Sequence, residues 1–310
     1  MMRFSAETAE RVKALTEKLE AGVKEVFESE KYKTYLKAMS RFHHYSFGNV
    51  MLILIQCPEA SLVAGYTTWK KQFGRTVKKG EHGIQIIAPV KCSKLVSQDK
   101  LDPDTQQPVM GPDGKPEKEP VFVQYQGFQV AYVFDVSQTE GRELPSLGVD
   151  ELTGDVPNFD AMFSAVEAIS PVPVEFRPTS AAKGCFNHLE RKMYVNEGMS
   201  QVQTLKTLIH ETAHALLHAR PEAADKDRHT KEVEAESIAY VVCQHFGIDT
   251  ADYSFPYVTS WSSGKELDEL KASLDCISKT ASGLITAMES ACPELAADKA
   301  EKPKEKCVSR

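Results

Sequence analysis

The sequence lacks any apolar run long enough to cross a membrane. A transmembrane helix needs about 20 consecutive apolar residues, and an apolar stretch such as residues 52–55 falls far short of that length. The amino terminus also lacks the apolar segment of a secretory signal peptide and passes directly into a charged helical pattern. We therefore expect a cytoplasmic protein with no membrane partner.

Two kinds of cysteine chemistry are also missing. The seven cysteines are odd in number and scattered, and no pair has the C-x-x-C spacing of a zinc or redox site. This excludes a disulfide-based fold and a cysteine zinc site, so reduced thiols are expected. The sequence likewise has no internal repeat and no zinc-finger or recognition-helix spacing, which disfavours sequence-specific reading of duplex DNA.

What is present is an ordinary globular composition with an uneven charge distribution. The chain is 42% apolar and 26% charged, and its 310 residues predict two domains. The net charge of −7 hides an excess of cations in residues 1–100, where 17 Lys and Arg face 10 Asp and Glu. Residues 150–260 instead have an excess of anions, with 9 Lys and Arg against 17 Asp and Glu. These opposite signs indicate two modules with different partners.

The pattern of residues 1–149 predicts an α+β domain. Apolar positions recur at three- and four-residue steps over 6–28, and further helices are expected over 30–41 and 47–56, the last capped by Ser46. Short apolar segments predict strands over 84–90, 121–125 and 128–134. Between them, the proline-rich residues 97–120 predict a mobile excursion that interrupts the sheet.

Residues 140–157 contain many turn formers and predict a linker to a second α+β domain, residues 150–292. This domain is expected to contain a helix ending at 169, a strand over 172–176 and a hairpin turning at Glu190 and Arg191. Three helices follow: one between Ser200 and Pro221, one over 231–246 and a long one after Gly264. The Lys-, Glu- and Pro-rich residues 293–310 predict a disordered tail.

The helix after Ser200 contains the pattern H-E-x-x-H. His210 and His214 are four residues apart, so they project from one helix face and can hold one Zn²⁺, with another divalent ion as the alternative. Glu211 between them can act as a general base toward a metal-bound water. Five residues can match by chance, but the neighbouring residues predict a buried helix with small side chains beside the site. These neighbours are Leu208, Ile209, Thr212, Ala213, Leu216 and Leu217.

The third ligand is expected from the following helix. Glu232 and Glu236 share one helix face, whereas Glu234 points elsewhere. Such an acidic face is usually solvated, but the apolar residues 238–242 predict a largely buried helix, in which paired carboxylates need a cation between them. We expect Glu232 to be the ligand and Glu236 to hydrogen-bond a ligating imidazole, and the reverse assignment stays open.

These residues predict zinc-dependent hydrolysis of a peptide bond in a protein or peptide substrate. The metal polarises the carbonyl and acidifies a water molecule, while Glu211 moves the proton to the leaving amine. The candidates for stabilising the oxyanion are Tyr253, Tyr257 and His229. Arg220 stands where the longer H-E-x-x-H-x-x-G-x-x-H pattern has its third histidine, so that pattern fails. His218 is therefore expected to be a surface or helix-end residue.

A second candidate site lies in the basic half, where aromatic and cationic residues alternate between 66 and 80. In proteins that bind single-stranded nucleic acid, lysine and arginine follow the phosphates and aromatic faces stack on bases. The alternative is that Trp69 belongs to the core and the lysines form a solvated rim. The residues assigned to the nucleic-acid site are Tyr66, Trp69, Lys70, Lys71, Arg75, Lys78 and Lys79.

The second half resembles the ImmA/IrrE-type zincin metallopeptidases. The resemblance rests on residues 193–196 (MYVN), 207–218 (TLIHETAHALLH) and 232–239 (EVEAESIA). It implies a mixed zincin fold with a strand beside the cleft, and it favours Glu232 over Glu236 as the ligand. The chain differs from the family in having Glu236 where an asparagine is frequent.

The first half resembles the amino-terminal single-stranded-DNA-binding domain of ArdC-type antirestriction proteins. The similar segments are residues 46–50 (SFGNV), 63–69 (VAGYTTW), 74–84 (GRTVKKGEHGI) and 133–139 (VFDVSQT). In that family this domain precedes a zincin domain, and the order is the same here. The resemblance implies a protein of mobile elements that protects incoming single-stranded DNA.

Three functions are consistent with these patterns. The first, which we expect, is a zinc peptidase that also binds single-stranded DNA. The second is a DNA-protecting binding protein whose metal site is not catalytic. The third is a regulatory peptidase that cleaves a repressor, with the basic region serving a protein partner.

Overall fold

The structure is a computed structural model. It describes residues 6–142 except 104 and 113, and then residues 156, 158–178, 183–187, 189–219, 226–248, 255, 258–293 and 295. Helices and strands are mixed in both halves, which confirms the predicted α+β class. Within these ranges, no helix is long and apolar enough to span a bilayer.

Three helices open the described chain: α1 (Ala6–Glu25), α2 (Ser29–Arg41) and α3 (Phe47–Gln56). The Ser46 side chain accepts a hydrogen bond from the Asn49 N–H, as expected of an N-cap, so the predicted helix over 47–56 is confirmed. The Asn49 side chain in turn bonds both the N–H and the C=O of Ile87. These two bonds fix α3 against the edge of the neighbouring sheet.

The first half contributes two antiparallel sheets. The elements that follow α3 are β1 (Val63–Gly65), α4 (Tyr66–Lys71), β2 (Arg75–Val77), β3 (Ile84–Asp99), β4 (Lys118–Asp135) and β5 (Thr139–Gly141). One sheet has the order β1-β4-β3, and β2 pairs with β5. The buried Asp135 carboxylate connects the segment before β1 with the segment between β4 and β5, because it accepts hydrogen bonds from the N–H groups of Ser61, Leu62 and Ser137.

β3 and β4 form one long hairpin, which corrects the predicted interruption of the sheet. Pairing runs continuously from residues 84 and 133 to residues 99 and 118. Two further bridges, between 101 and 108 and between 110 and 116, continue it into the segment that we expected to be mobile. The prolines of this segment had indicated a loop. Proline is tolerated on strands with a free edge, and the far part of this hairpin has only two strands.

The described part of the second half contains three strands and five helices. They are α5 (Phe159–Ile169), β6 (Val174–Arg177), β7 (Gly184–Asn187), β8 (Lys192–Asn196), α6 (Gln201–Leu217), α7 (Arg228–His245), α8 (Val258–Ser262) and α9 (Leu267–Ala291). β8 is the central strand, with β6 parallel and β7 antiparallel to it. The predicted hairpin is confirmed as β7–β8, and Arg191 has φ 51° in its turn.

The ordered packing extends past the predicted end of the second domain. α9 passes through Gly283 and ends at Ala291. Leu295 is 3% exposed and belongs to the core, so the predicted disorder does not begin at residue 293. The remaining residues of that tail, 296–310, lie outside the described residues.

One continuous core crosses the predicted domain boundary. The Tyr32 hydroxyl of α2 and the Ser237 hydroxyl of α7 are hydrogen-bonded at 2.8 Å, and both residues are buried. The Thr259 hydroxyl of α8 donates to the Phe27 carbonyl at 2.8 Å. The first two helices therefore pack directly against the helices of the second half. The predicted linker over 140–157 lies mostly outside the described residues.

Candidate metal centre and basic surface

Two facing helices carry the candidate metal ligands. α6 begins at Gln201 because the Ser200 side chain accepts a hydrogen bond from the Gln203 N–H, which confirms the predicted cap. One side of α6 is buried in the core through Leu205, Leu208 and Ala213. The face that bears His210 and His214 therefore points away from the core, toward the partly exposed carboxylates of α7.

The nitrogen and oxygen atoms of three predicted ligands converge. His210 Nε2 and His214 Nε2 are 3.1 Å apart, and Glu232 Oε2 lies 3.6 Å and 3.7 Å from them. Ligands that bind a tetrahedral metal at about 2.0–2.2 Å lie roughly 3.4 Å from one another. These three side chains therefore fit a divalent metal such as Zn²⁺ in both chemistry and spacing.

Glu236 lies on the other side of the His210 ring. Its Oε2 is 3.1 Å from Nδ1 of His210, whereas Glu232 faces Nε2 of the same ring. The two carboxylates, one helical turn apart on α7, thus contact opposite nitrogens of one imidazole. Of these two carboxylates, Glu232 is the one that lies near both His210 and His214.

The electrostatics of this cluster favour a bound cation. Burial alone would lower the pKa of His210, but the carboxylates of Glu232 and Glu236 outweigh that effect and raise it to about 9. The neighbouring imidazoles of His210 and His214 hold the pKa of Glu232 far below its usual range. At neutral pH the cluster therefore attracts a positive charge, which a metal can supply in place of a proton.

Glu211 lies beside the ligands but is held by a different element. Its side chain is 8% exposed, and burial raises the pKa of its carboxyl, with the neighbouring histidines opposing the shift. The backbone N–H of Phe186 in β7 donates a hydrogen bond to it. β7 is one of the two outer strands of its described sheet. The candidate base is thus fixed at the sheet edge, next to the metal ligands.

Gly184 allows this close approach. A Cβ at residue 184 would lie 2.5 Å from Thr207 Cγ2 and 3.2 Å from Glu211 Cγ. Only a glycine lets β7 run directly against α6. A cleft of about 640 Å³ lies between them. It is lined by His210, Glu211, His214, Glu232 and Glu236, together with the cations Lys183, Lys206 and Arg228.

His218 and Glu234 are more deeply buried than the sequence pattern indicated. His218 ends α6, as one of its two predicted positions required, but the other, a surface position, is wrong because the residue is 6% exposed and contacts His214. Glu234 does point away from Glu232, yet it is completely buried and contacts His218. The spacing of His218, four residues after His214, was the available signal.

The predicted oxyanion residues are not tested by the structure. Tyr253 and Tyr257 lie outside the described residues. His229, in the first turn of α7, is exposed and is not among the described residues that line the cleft.

Two residues of the predicted nucleic-acid site are held by contacts within the first half. Trp69 is fully buried, and its indole Nε1 donates to the Phe134 carbonyl at 2.8 Å, so the prediction that its ring stacks on bases is wrong. The Arg75 guanidinium bonds the side chain and the carbonyl of Thr139 and the carbonyl of Arg142. Arg75 therefore ties β2 to β5.

The other five predicted residues form an exposed surface, which we call the basic surface: Tyr66, Lys70, Lys71, Lys78 and Lys79. The side chain of Tyr66 is 51% exposed. α4, which carries the first three residues, packs against β2, which leads into the two others. Tyr132 of β4 is also 43% exposed, and its hydroxyl accepts a hydrogen bond from the Arg11 guanidinium of α1.

Comparison with known proteins finds one matching family in each half of the chain. Residues 6–134 match the family described as the N-terminal domain of anti-restriction factor ArdC. Residues 171–250 match the family described as the IrrE N-terminal-like domain, a peptidase family. These two matches confirm the resemblances drawn from the sequence.

The chain is also similar to individual proteins. The chain is 28% identical over 295 residues to an uncharacterised protein of Bacillus anthracis, covering 83% of this chain and 47% of the relative, so it spans about half of that protein's length. The metal-free crystal structure of the antirestriction protein ArdC of plasmid R388 is 22% identical and covers 81% of this chain and 85% of its own, with a TM-score of 0.45. Its Mn(II)-bound structure is 20% identical and covers 86% and 98%, with a TM-score of 0.38.

Proposed function

We propose that this chain, which belongs to the ArdC-type antirestriction proteins, is a metal-dependent peptidase that also binds single-stranded DNA. One observation carries the enzymatic part. His210, His214 and Glu232 converge at metal-ligand spacing, while the separately anchored Glu211 enters the same cleft. A purely structural metal site would need no buried carboxylate beside an open position.

In this proposal His210, His214 and Glu232 hold the metal, and Glu236 orients the His210 ring through Nδ1. When bound, the metal polarises the scissile carbonyl and makes a water molecule acidic. Zn²⁺ is the ion we propose, because two imidazoles and a carboxylate are its usual ligands in peptidases.

The residues around the metal supply the proton transfer and the alignment. Glu211 takes the proton of the attacking water and gives it to the leaving amine, and its raised pKa suits both steps. The Phe186 N–H keeps its carboxylate in place. β7 lies at the described sheet edge beside the cleft, so an extended peptide can align along it as an added strand.

The test of the enzymatic part is Glu211→Gln. The variant should bind Zn²⁺ as the parent does but hydrolyse peptides at least about 100-fold more slowly, because it lacks the general base. Hydrolysis is measured by mass spectrometry on a mixture of unstructured peptides, with Zn²⁺- and Mn²⁺-loaded protein. The matched control is Glu197→Gln, an exposed position outside the cleft. Undiminished hydrolysis by Glu211→Gln would rule out this mechanism.

Metal analysis of two more variants tests the ligand assignment. Glu232→Ala should lose the metal, because it removes the oxygen that lies near the Nε2 atoms of both histidines and would be the third ligand. Glu236→Ala should keep it with an affinity lowered by about 10- to 100-fold, as is typical for a residue that supports a ligand. The opposite result would exchange the two roles.

We also propose that the basic surface binds single-stranded DNA. Its four lysines can follow a phosphate backbone, and Tyr66 offers an exposed ring on which a base can stack. In a mobile element, a protein that coats incoming single strands in this way would shield them. The metal centre would then act on a protein substrate, with the DNA determining where.

Charge and ring variants test the DNA surface. Lys70→Ala with Lys71→Ala should weaken binding of an oligonucleotide and reduce the slope of log affinity against log salt by about 1.4, since each single-strand phosphate contact contributes about 0.7. Tyr66→Ala should cost about 1–3 kcal/mol of binding free energy. Lys31→Ala with Lys279→Ala, two exposed lysines on α2 and α9, is the control. Equal losses in both pairs would show that only net charge matters.

A further inference from the structure

A buried chain of hydrogen bonds leads from the metal centre into the protein. His214 Nδ1, the ring nitrogen opposite the candidate ligand atom, lies 2.8 Å from Nδ1 of His218. His218 Nε2 lies 3.1 Å from Oε2 of Glu234. The side chains of His218 and Glu234 are 2% and 0% exposed. We call His218 and Glu234 together the relay.

Glu234 is held from three directions. Lys226 Nζ, just before α7, lies 2.7 Å and 2.8 Å from its two oxygens. The Ser273 hydroxyl of α9 donates to Oε1 at 3.1 Å. A carboxylate buried this deeply is costly unless it is paired and hydrogen-bonded. These partners satisfy it as an anion, so its remaining contact, with His218, is to a hydrogen-bond donor.

This arrangement fixes the protons along the chain. Glu234 is an acceptor, so His218 carries its proton on Nε2 and leaves Nδ1 as an acceptor. His214 must then donate from Nδ1, which leaves the lone pair of His214 Nε2 pointing toward His210 and Glu232. The reverse order would require a doubly protonated, positively charged His218. It would also place a proton on the atom that should bind the metal.

We propose that His218 and Glu234 are positioning residues for the metal centre, which hold His214 in the tautomer and ring orientation that present Nε2 as a ligand. The proposal rests on the proposed role of His214 as a metal ligand. Metal-bound histidines commonly donate their second nitrogen directly to a carboxylate. Here His218 extends that link by one residue, whereas on His210 the carboxylate of Glu236 makes the contact itself.

Substitutions at His218 distinguish a hydrogen-bond role from a packing role. His218→Leu fills much of the same volume but cannot accept from His214, whereas in His218→Asn the amide oxygen can replace Nδ1 as the acceptor. Thr212→Val is the matched control. Thr212 is also fully buried on α6, but its hydroxyl bonds the Leu208 carbonyl and it does not line the cleft.

Zn²⁺ affinity, measured by competition with a chromophoric chelator, is the first readout. His218→Leu should bind about 10- to 100-fold more weakly than the parent, while His218→Asn and Thr212→Val stay close to it. The visible absorption of the Co²⁺-loaded proteins is the second readout, and it should change only in His218→Leu. Thermal unfolding of the metal-free proteins identifies any variant that is simply less stable.

Two results would overturn the proposal. The first is His218→Leu binding Zn²⁺ as tightly as Thr212→Val. The second is His218→Asn losing as much affinity as His218→Leu. If His218→Leu does not fold, Glu234→Leu, which removes the acceptor for His218 Nε2, replaces it, and an unchanged Co²⁺ spectrum and Zn²⁺ affinity there would also exclude the relay. All of these readouts measure metal binding. A protein that binds Zn²⁺ but cleaves no peptide would therefore contradict the proposed peptidase activity, while the proposed role of His218 and Glu234 would stand.

Discussion

At the scale of single residues, Gly184 is the most constrained position beside the candidate site. A Cβ there would lie 2.5 Å from Thr207 Cγ2 and 3.1 Å from the Tyr194 carbonyl oxygen. Gly184→Ala should therefore push β7 away from α6 and lower the free energy of unfolding by about 1–3 kcal/mol, the usual cost of overpacking. Because β7 also anchors Glu211, peptide hydrolysis should fall as well. Urea unfolding and the peptide assay measure both effects.

Gly283 is the matched control for this prediction. It lies inside α9 with no atom within 4 Å of an added Cβ, so Gly283→Ala meets no obstacle. Alanine is favoured over glycine in a helix interior, and this variant should gain about 0.5–1 kcal/mol. A loss of stability in both variants would contradict the steric explanation for Gly184.

The sequence predicted the residues whose roles follow from local spacing and missed those that depend on packing. His210 and His214 could be paired because four residues make one helical turn. The burial of Trp69 remained an open alternative, because composition does not say which face of a short helix meets the sheet. His218 was missed for the same reason, since its partner Glu234 lies on another helix.

At the scale of elements, α7 depends on the cap at its first turn. The Asp227 side chain accepts hydrogen bonds from the N–H and the hydroxyl of Thr230, which together with Lys265 lower the pKa of Asp227 to about 2. Asp227→Ala should cost about 1 kcal/mol at pH 7. Since α7 carries Glu232 and Glu236, this variant should also bind the metal more weakly.

The pH dependence of this cap has a defined sign. The folded pKa of Asp227 lies below the ordinary value of 3.8, so its charge stabilises the fold above that value, and the effect is lost as the pH falls toward about 2. The difference in unfolding free energy between the parent and Asp227→Ala should therefore shrink below pH 4. Urea unfolding from pH 7 to pH 3 measures it. A difference that does not change with pH would mean that the charged carboxylate is not the stabilising group.

Local signals also decided which elements could be predicted. The Ser46 and Ser200 caps and the turn at Arg191 act within a few residues, and the elements that they bound were predicted close to their true limits. The length of the β3–β4 hairpin was underestimated, because the ends of the two strands near residues 99 and 118 are stabilised by pairing with each other. Their prolines, in isolation, indicate a loop.

At the scale of the whole molecule, hydrogen bonds and ion pairs join the two halves. His245 of α7 bonds the Ser40 carbonyl at 3.0 Å through Nδ1, and within the second half it bonds Glu289 of α9 at 3.0 Å through Nε2. Lys271 of α9 pairs with Glu20 of α1 at 2.7 Å. The opposite charges of the two halves suggested separable modules, but charge patterns describe surfaces and do not reveal a shared core.

This shared core predicts that the halves unfold together. A fragment of residues 1–149 would expose the buried side chains of Phe27, Tyr32 and Met39, which lie in a core that also includes residues of the second half. We expect it to be unfolded or aggregated. Calorimetry of the full chain should give one transition whose calorimetric and van't Hoff enthalpies agree. Two resolved transitions, or a monomeric fragment with the dispersed amide spectrum of a folded domain, would instead mean that each half is stable alone. The basic surface and the metal centre would then be coupled only through a linker, whereas in one cooperative unit the proposed binding of DNA would also stabilise the metal centre.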